Sequence, residues 1–123
     1  MTIKERFKSR SEALNAEIKD ILKEHGSKKI GEITLSQIYS GMRGMTGLVT
    51  ETSLLDAQEG IRFRGYSIPE IQQKLPKASG GNEPLPEGLF LLMLLGELPD
   101  ERDVQELTAN WQRRSDVANH VFD

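Results

Sequence analysis

The chain has no cysteine, which excludes disulfide staples, thiol nucleophiles and cysteine-ligated zinc. Histidine is nearly as scarce: the two present, His25 and His120, lie far apart, so no metal site is expected. No apolar run reaches the ~18 residues that a membrane-spanning helix requires. The opening Met1-Thr2-Ile3-Lys4-Glu5 lacks the apolar stretch of a secretory signal, and its acidic residues do not fit an organellar transit segment. A cytoplasmic location without membrane contact is therefore expected. A basic surplus is also missing. The net charge is -3, which argues against non-specific nucleic-acid binding. Residues 1 to 30 carry eight Lys/Arg and five Asp/Glu, a local +3, and the remainder carries -6. Acids are interspersed among the bases of that first stretch, so it reads as a solvated helix face.

What is present suits one modest domain of 123 residues, 37% hydrophobic and 28% charged. Residues 2 to 25 have helical periodicity, with Ile3, Phe7, Leu14, Ile18, Ile21 and Leu22 on one stripe. Thr2 and Glu5 stand at capping-box spacing, and His25-Gly26 suits a helix end. The stripe needs a docking surface. Ile30 to Leu35 alternates like a short strand. Tyr39 to Gly47 carries Gly41, Gly44 and Gly47 at every third position, which favours a loop. Ser53-Leu54-Leu55 and Ile61-Arg62-Phe63-Arg64 flank Asp56 to Gly60 as a hairpin would, with Ile61 and Phe63 on one face and Arg62 and Arg64 on the other.

Ser67, Pro69 and Glu70 mark a second helix start. It must be short, because Pro76 opens a loop rich in proline and glycine that runs to Pro86. Leu89-Phe90-Leu91-Leu92-Met93-Leu94-Leu95 is apolar on every side and lacks β-branched residues. It is expected to be a helix surrounded by protein, as core or interface, with a buried strand as the alternative. Burying those side chains is worth on the order of 10–20 kcal/mol, and incomplete coverage predicts self-association. A last helix is expected from Glu101 to Arg114, capped by Asp100 with Asp103, with Val104, Leu107 and Trp111 as its buried stripe. His120 to Asp123 reads as the start of a further element.

Several phrases are more specific than these spacings. Tyr39-Ser40-Gly41-Met42-Arg43-Gly44-Met45, Leu48-Val49, Glu51-Thr52-Ser53 and Leu55-Asp56 resemble the amino-terminal region of citrate synthases. So does the unbroken run from Glu59 to Glu70, and so do Leu75-Pro76-Lys77-Ala78, Gly80-Gly81 and Glu83 to Phe90. The likeness covers nearly the whole chain, is weakest over residues 1 to 28, and points to the branch shared by mitochondrial enzymes and some bacteria. It implies a mainly α fold: part of the large helical domain of a homodimer, with a small antiparallel β-hairpin. On that basis residues 1–26 form a leading helix, 29–66 short strands and a hairpin, and 67–123 a helical part.

The resemblance also implies an acyltransferase of the tricarboxylic acid cycle, which condenses acetyl-CoA with oxaloacetate to give citrate and CoA. The family's two catalytic histidines, its catalytic aspartate and its oxaloacetate-binding arginines match positions beyond Asp123. His25 and His120 therefore inherit no catalytic role, no catalytic residue is assigned, and this stretch alone is expected to be inactive. No cofactor is expected here, acetyl-CoA being a substrate of the complete enzyme.

Arg43 is the one candidate binding residue. The family's arginine in this phrase approaches the phosphates of CoA; a guanidinium fork suits phosphate oxygens, and neighbouring glycines let backbone N–H groups come close. A structural turn with Arg43 paired to a local carboxylate is the alternative. Arg62 and Arg64 could suggest an anion site but are expected on a solvent-facing or salt-bridged hairpin face, and Trp111 is expected in the core rather than as a stacking platform. Beside the enzyme-segment reading stands a non-catalytic interaction module or a CoA-binding module of the same fold.

Overall fold

The structure is a computed structural model that describes residues 1–118 and residue 121. The sequence expectation for His120, Phe122 and Asp123 lies outside the described residues. Five helices and a small sheet follow in the order α1 (Ile3–His25), α2 (Leu35–Tyr39), β1 (Ser53–Asp56), β2 (Gly60–Phe63), β3 (Tyr66–Ser67), α3 (Ile68–Lys74), α4 (Pro86–Leu95) and α5 (Glu101–Arg113). The mainly α expectation with a small antiparallel β element holds. No helix among the described residues is long and apolar enough to cross a membrane. The chain divides into two compact units, one of Met1–Arg10 with the chain from Glu51 onward, the other Ser11–Thr50.

The first unit is organised around α4. Leu91, Leu92 and Leu95 are its most deeply buried side chains. Leu91 and Leu95 pack with Val104 and Leu107 of α5 and with Ile3. Leu92 points elsewhere, to Ile71 and Leu75, with Phe63 and Tyr66 of the sheet alongside. One apolar helix thus serves two neighbours, which explains why its sequence shows no polar stripe. The enclosure is incomplete: Phe90 is 44% exposed. Gly96 ends α4 in the left-handed conformation (φ 76°), its N–H donating to Leu92 O at 2.8 Å. A Cβ there would lie 2.5 Å from Nη2 of Arg10. Glycine is favoured there by its backbone angle, and a Cβ would also have to displace the flexible Arg10 guanidinium.

Helix starts follow local chemistry. Thr2 N–H donates to Glu5 Oε2 (2.8 Å) and Glu5 N–H to Thr2 Oγ1 (3.3 Å). Asp103 N–H donates to Asp100 Oδ1 (2.9 Å) and Asp100 N–H to Asp103 Oδ2 (3.3 Å). At α3, Glu70 Oε2 accepts from both Ser67 N (2.8 Å) and Ser67 Oγ (2.7 Å). Each pairing satisfies N–H groups that the first turn leaves without intrahelical partners.

The hairpin pairs Ser53 with Phe63 and Asp56 with Gly60. Asp56 Oδ1 accepts from the N–H groups of Gln58 and Glu59, each at 2.8 Å, folding the connection as a side-chain-to-backbone turn. Arg64 (φ 49°) and Gly65 (φ 86°) then make a second tight turn that brings in β3. Two consecutive positive φ angles match the right-handed twist of a two-residue hairpin.

In the second unit the expected strand over Ile30 to Leu35 is absent, and an irregular segment leads directly into α2. Two facts explain the difference. No described segment pairs with that stretch, and an unpaired strand is not stable alone. Thr34 and Gln37 also form a reciprocal capping box, with Thr34 N to Gln37 Oε1 at 2.9 Å and Gln37 N to Thr34 Oγ1 at 3.3 Å, which starts a helix where the alternation suggested extension. The α1 stripe stays largely open in this unit: Ile18, Ile21 and Leu22 are exposed.

Candidate functional site

The glycine-spaced segment after α2 is a chain of turns. Ser40 Oγ and Ser40 N–H both donate to Ser36 O (2.7 and 3.0 Å), closing the short helix. Met42 N–H then reaches back to Gln37 O at 2.7 Å, and Met45 N–H to Met42 O at 3.3 Å. Gly41 (φ 71°), Met42 (φ 60°) and Gly44 (φ 73°) all adopt the left-handed region. For Met42 that conformation costs about 1–2 kcal/mol. A non-glycine residue held this way marks a segment whose shape is over-determined.

Arg43 sits between these residues and is exposed. Among the described residues it has no hydrogen-bond or ion-pair partner. The alternative of a guanidinium paired to a local carboxylate is not what the turn adopts. Beside it lies a shallow hollow of about 250 Å³ lined in part by Ile30, Ile33, Gln37, Gly44 and Thr46, below the usual range for a cofactor-sized pocket. Its one acid, Glu32, pairs with Lys29.

The other candidate arginines are engaged. Arg62 donates from Nε and Nη2 to Glu59 Oε2 (3.2 and 3.0 Å) and from Nη1 to Gly65 O (3.0 Å), and Glu70 Oε2 lies 3.7 Å away. This is the salt-bridged face expected of the hairpin. Arg64 leaves that face: it binds Met93 O of α4 and Glu51. No spacing rule reveals this, because the signal is a positive φ in an Arg-Gly turn. Glu70 is held below the usual carboxylate range, first by the backbone N–H of Ser67 and then by its hydroxyl. Asp56 is lowered chiefly by the N–H groups of Glu59 and Gln58. Both acids are thus anchored as anions in structural turns rather than poised to exchange protons near neutrality.

His25 ends α1 with Nε2 3.9 Å from Glu24 Oε2, a helix-end position as expected. Among the described residues no three His, Cys, Asp or Glu side chains are grouped to hold a metal ion. Trp111 corrects the core expectation. It is 42% exposed and meets Phe90 edge-on, ring centres 5.4 Å apart. The stripe of α5 fades toward its C-terminus because α4 is only ten residues long, so Trp111 is reached by the exposed Phe90 of α4, at the edge of an apolar groove of about 590 Å³.

Comparison with known proteins bears on the family to which the chain belongs. The chain is 54% identical over 120 residues to the mitochondrial citrate synthase of Aspergillus niger, which covers 98% of this chain and 25% of the relative. The mitochondrial citrate synthase of Neurospora crassa is 55% identical over 120 residues, 98% of this chain and 26% of the relative. That of Saccharomyces cerevisiae is 55% identical over 121 residues, 98% and 25%. The chain spans about a quarter of the length of the curated relatives it matches. All three carry mitochondrial names, which overturns the cytoplasmic expectation. That expectation rested on the acids among the first residues of a stretch only a quarter as long as its relatives, too little sequence to report a destination. The sequence profile described as "Citrate synthase, C-terminal domain" matches residues 41–123, two-thirds of the chain, and the chain belongs to the citrate synthase family.

Proposed function

We propose that this chain supplies the amino-terminal portion of a mitochondrial citrate synthase, an acyltransferase that condenses acetyl-CoA with oxaloacetate to give citrate and CoA. The observation that carries the reading is identity above 50% to citrate synthases along 98% of the chain. The chain's share of the work is scaffolding together with one contact to substrate. Proton abstraction from acetyl-CoA and polarisation of oxaloacetate fall to residues outside it. Anchored carboxylates such as Glu70 and Asp56 favour that division of labour. The amino-terminal placement rests on the likeness of the phrases between Tyr39 and Phe90. The whole enzyme acts as a homodimer, and the 123 residues alone self-associate through apolar surface left uncovered.

Arg43 is the substrate contact. An unpaired guanidinium flanked by left-handed residues is free to fork onto phosphate oxygens of CoA. Acetyl-CoA is a substrate there, and no cofactor is assigned to this stretch.

The test is complementation. The 123-residue chain is combined with the remaining carboxy-terminal polypeptide of the Saccharomyces cerevisiae relative, and citrate formation is assayed. Restored activity is expected, with Arg43→Ala raising KM for acetyl-CoA and leaving kcat nearly unchanged, the pattern of lost uniform binding. Citrate formed by the chain alone would overturn the division of labour.

The unpaired state of Arg43 also favours a second reading, a CoA-binding module that acts without catalysis. Calorimetric titration of the chain alone with CoA separates the two: micromolar binding lost in Arg43→Ala supports the module, and absence of heat removes it.

A further inference from the structure

The first ten residues are held to α4 and α5 by charge more than by apolar contact. Ile3 joins the cluster of Leu91, Leu95, Val104 and Leu107, but Phe7, one turn on, remains 44% exposed. Against this thin apolar seat stands a set of polar links. Ile3 N–H donates to Glu106 Oε1 at 3.3 Å. Arg6 Nη2 binds Glu97 Oε1 at 2.7 Å, and Nη1 binds Asp103 Oδ1 at 2.5 Å. The Arg6 and Asp103 side chains keep only 21% and 17% of their exposure, so water competes poorly for that bond. Asp103 has a second duty, since its Oδ2 accepts from Asp100 N–H in the α5 cap. Arg10 adds its guanidinium over Gly96. Phe90, Leu94, Leu107 and Trp111 form the wall of an apolar groove that Ile3 and Phe7, on the same helix as Arg6, complete.

We propose that residues 3 to 10 form an ionic strap, latched by Arg6 between Glu97 and Asp103, whose release bares the apolar face of Phe90, Leu94, Leu107 and Trp111. The latch is a single guanidinium shared by two carboxylates, Glu97 of the α4–α5 connection and Asp103 of the first turn of α5. The Asp103 arm is strong and shielded, whereas the Glu97 arm, whose acid is 58% exposed, is the one that ions screen, since partly buried pairs are screened much less. Ionic strength therefore weakens one arm of the latch, and loss of the guanidinium removes both. The strap also protects the α5 start, because the acid that holds Arg6 is the one that closes the cap.

Trp111 is the chain's single tryptophan and reports on the groove directly. Acrylamide is a neutral quencher, so its access to Trp111 can be measured across salt concentrations. Raising salt from about 0.01 M to about 1 M shortens the Debye length from about 30 Å to about 3 Å. In the wild-type chain, quenching of Trp111 is expected to increase over that range, together with faster amide exchange at residues 3 to 10. Arg6→Ala at low salt is expected to quench more than the wild type at high salt, and Arg6→Lys, which keeps the charge without the fork, to fall between Arg6→Ala and the wild type at low salt. Arg62→Ala, which breaks the Glu59 pair elsewhere, is expected to quench as wild type does. Quenching and exchange that do not respond to salt in the wild-type chain would overturn the strap, as would an Arg6→Ala chain that quenches as wild type does. Should Arg6→Ala lose its helical circular dichroism, the salt series on the wild-type chain decides alone.

Discussion

Arg64 donates from Nε and Nη2 to the main-chain oxygen of Met93, at 3.1 and 2.7 Å. Met93 is in the last turn of α4, where carbonyls lack intrahelical partners. A cation from the β2–β3 turn thus closes the negative end of the most apolar helix. Arg64 adopts φ 49° to do so, so its backbone works against its side chain. The two contributions separate by substitution. Arg64→Ala is expected to destabilise by about 1.5–3 kcal/mol for the lost charged hydrogen bonds. Arg64→Gly loses the same bonds but relieves the left-handed strain, and is expected to be more stable than Arg64→Ala by about 1 kcal/mol. Urea denaturation of the two variants checks both the size and the order.

Gly96→Ala places a methyl group at φ 76° and against the Arg10 guanidinium. The expected loss is about 1–2 kcal/mol from the backbone angle, with a smaller share from moving Arg10, a flexible side chain. The double variant Gly96→Ala/Arg10→Ala is expected to recover only that smaller share. A double-mutant cycle by chemical denaturation measures it.

Leu92 is fully buried between α4 and the α3–sheet layer. Leu92→Ala is expected to cost about 2–5 kcal/mol. Leu55, 76% exposed on β1, should tolerate Leu55→Ala within about 0.5 kcal/mol. Thermal melting of the pair tests whether the core sits on α4 rather than on the hairpin.

Glu70 titrates below its ordinary value of 4.5 in the folded chain, its carboxylate held first by the Ser67 backbone N–H and then by its hydroxyl. The unfolded state therefore binds the proton more tightly. The associated stability is present above about pH 4.5 and is lost as pH falls through the depressed folded value. Glu70→Gln keeps an acceptor for Ser67 and removes the titration. Its urea midpoint is expected to fall less than that of the wild-type chain between about pH 6 and about pH 3, and equal slopes would count against the anchoring.

Much of this architecture is legible residue by residue. The pairs Thr2/Glu5, Ser67/Glu70 and Asp100/Asp103 each announce a helix start within four residues, because capping is local chemistry. The apolar run from Leu89 to Leu95 announces a central helix for the same reason. The strand anticipated at Ile30 to Leu35 failed because alternation states a preference, and a strand also needs a neighbour. Trp111 was misplaced because periodicity gives the face of α5 but not how far α4 extends along it. The links made by Arg6 span 91 and 97 positions, and no local pattern encodes a partner so distant. At the candidate site, glycine spacing exposed the turn and the family phrase singled out Arg43. The left-handed Met42 and the freedom of the guanidinium required coordinates.

Between Ser11 and Thr50 no side chain is buried. Heat capacity changes on unfolding in proportion to the apolar area newly wetted, and here little remains to be wetted. A calorimetric scan of the chain should therefore register a molecule smaller than 123 residues, its endotherm supplied almost wholly by the leucine clusters flanking the fourth helix.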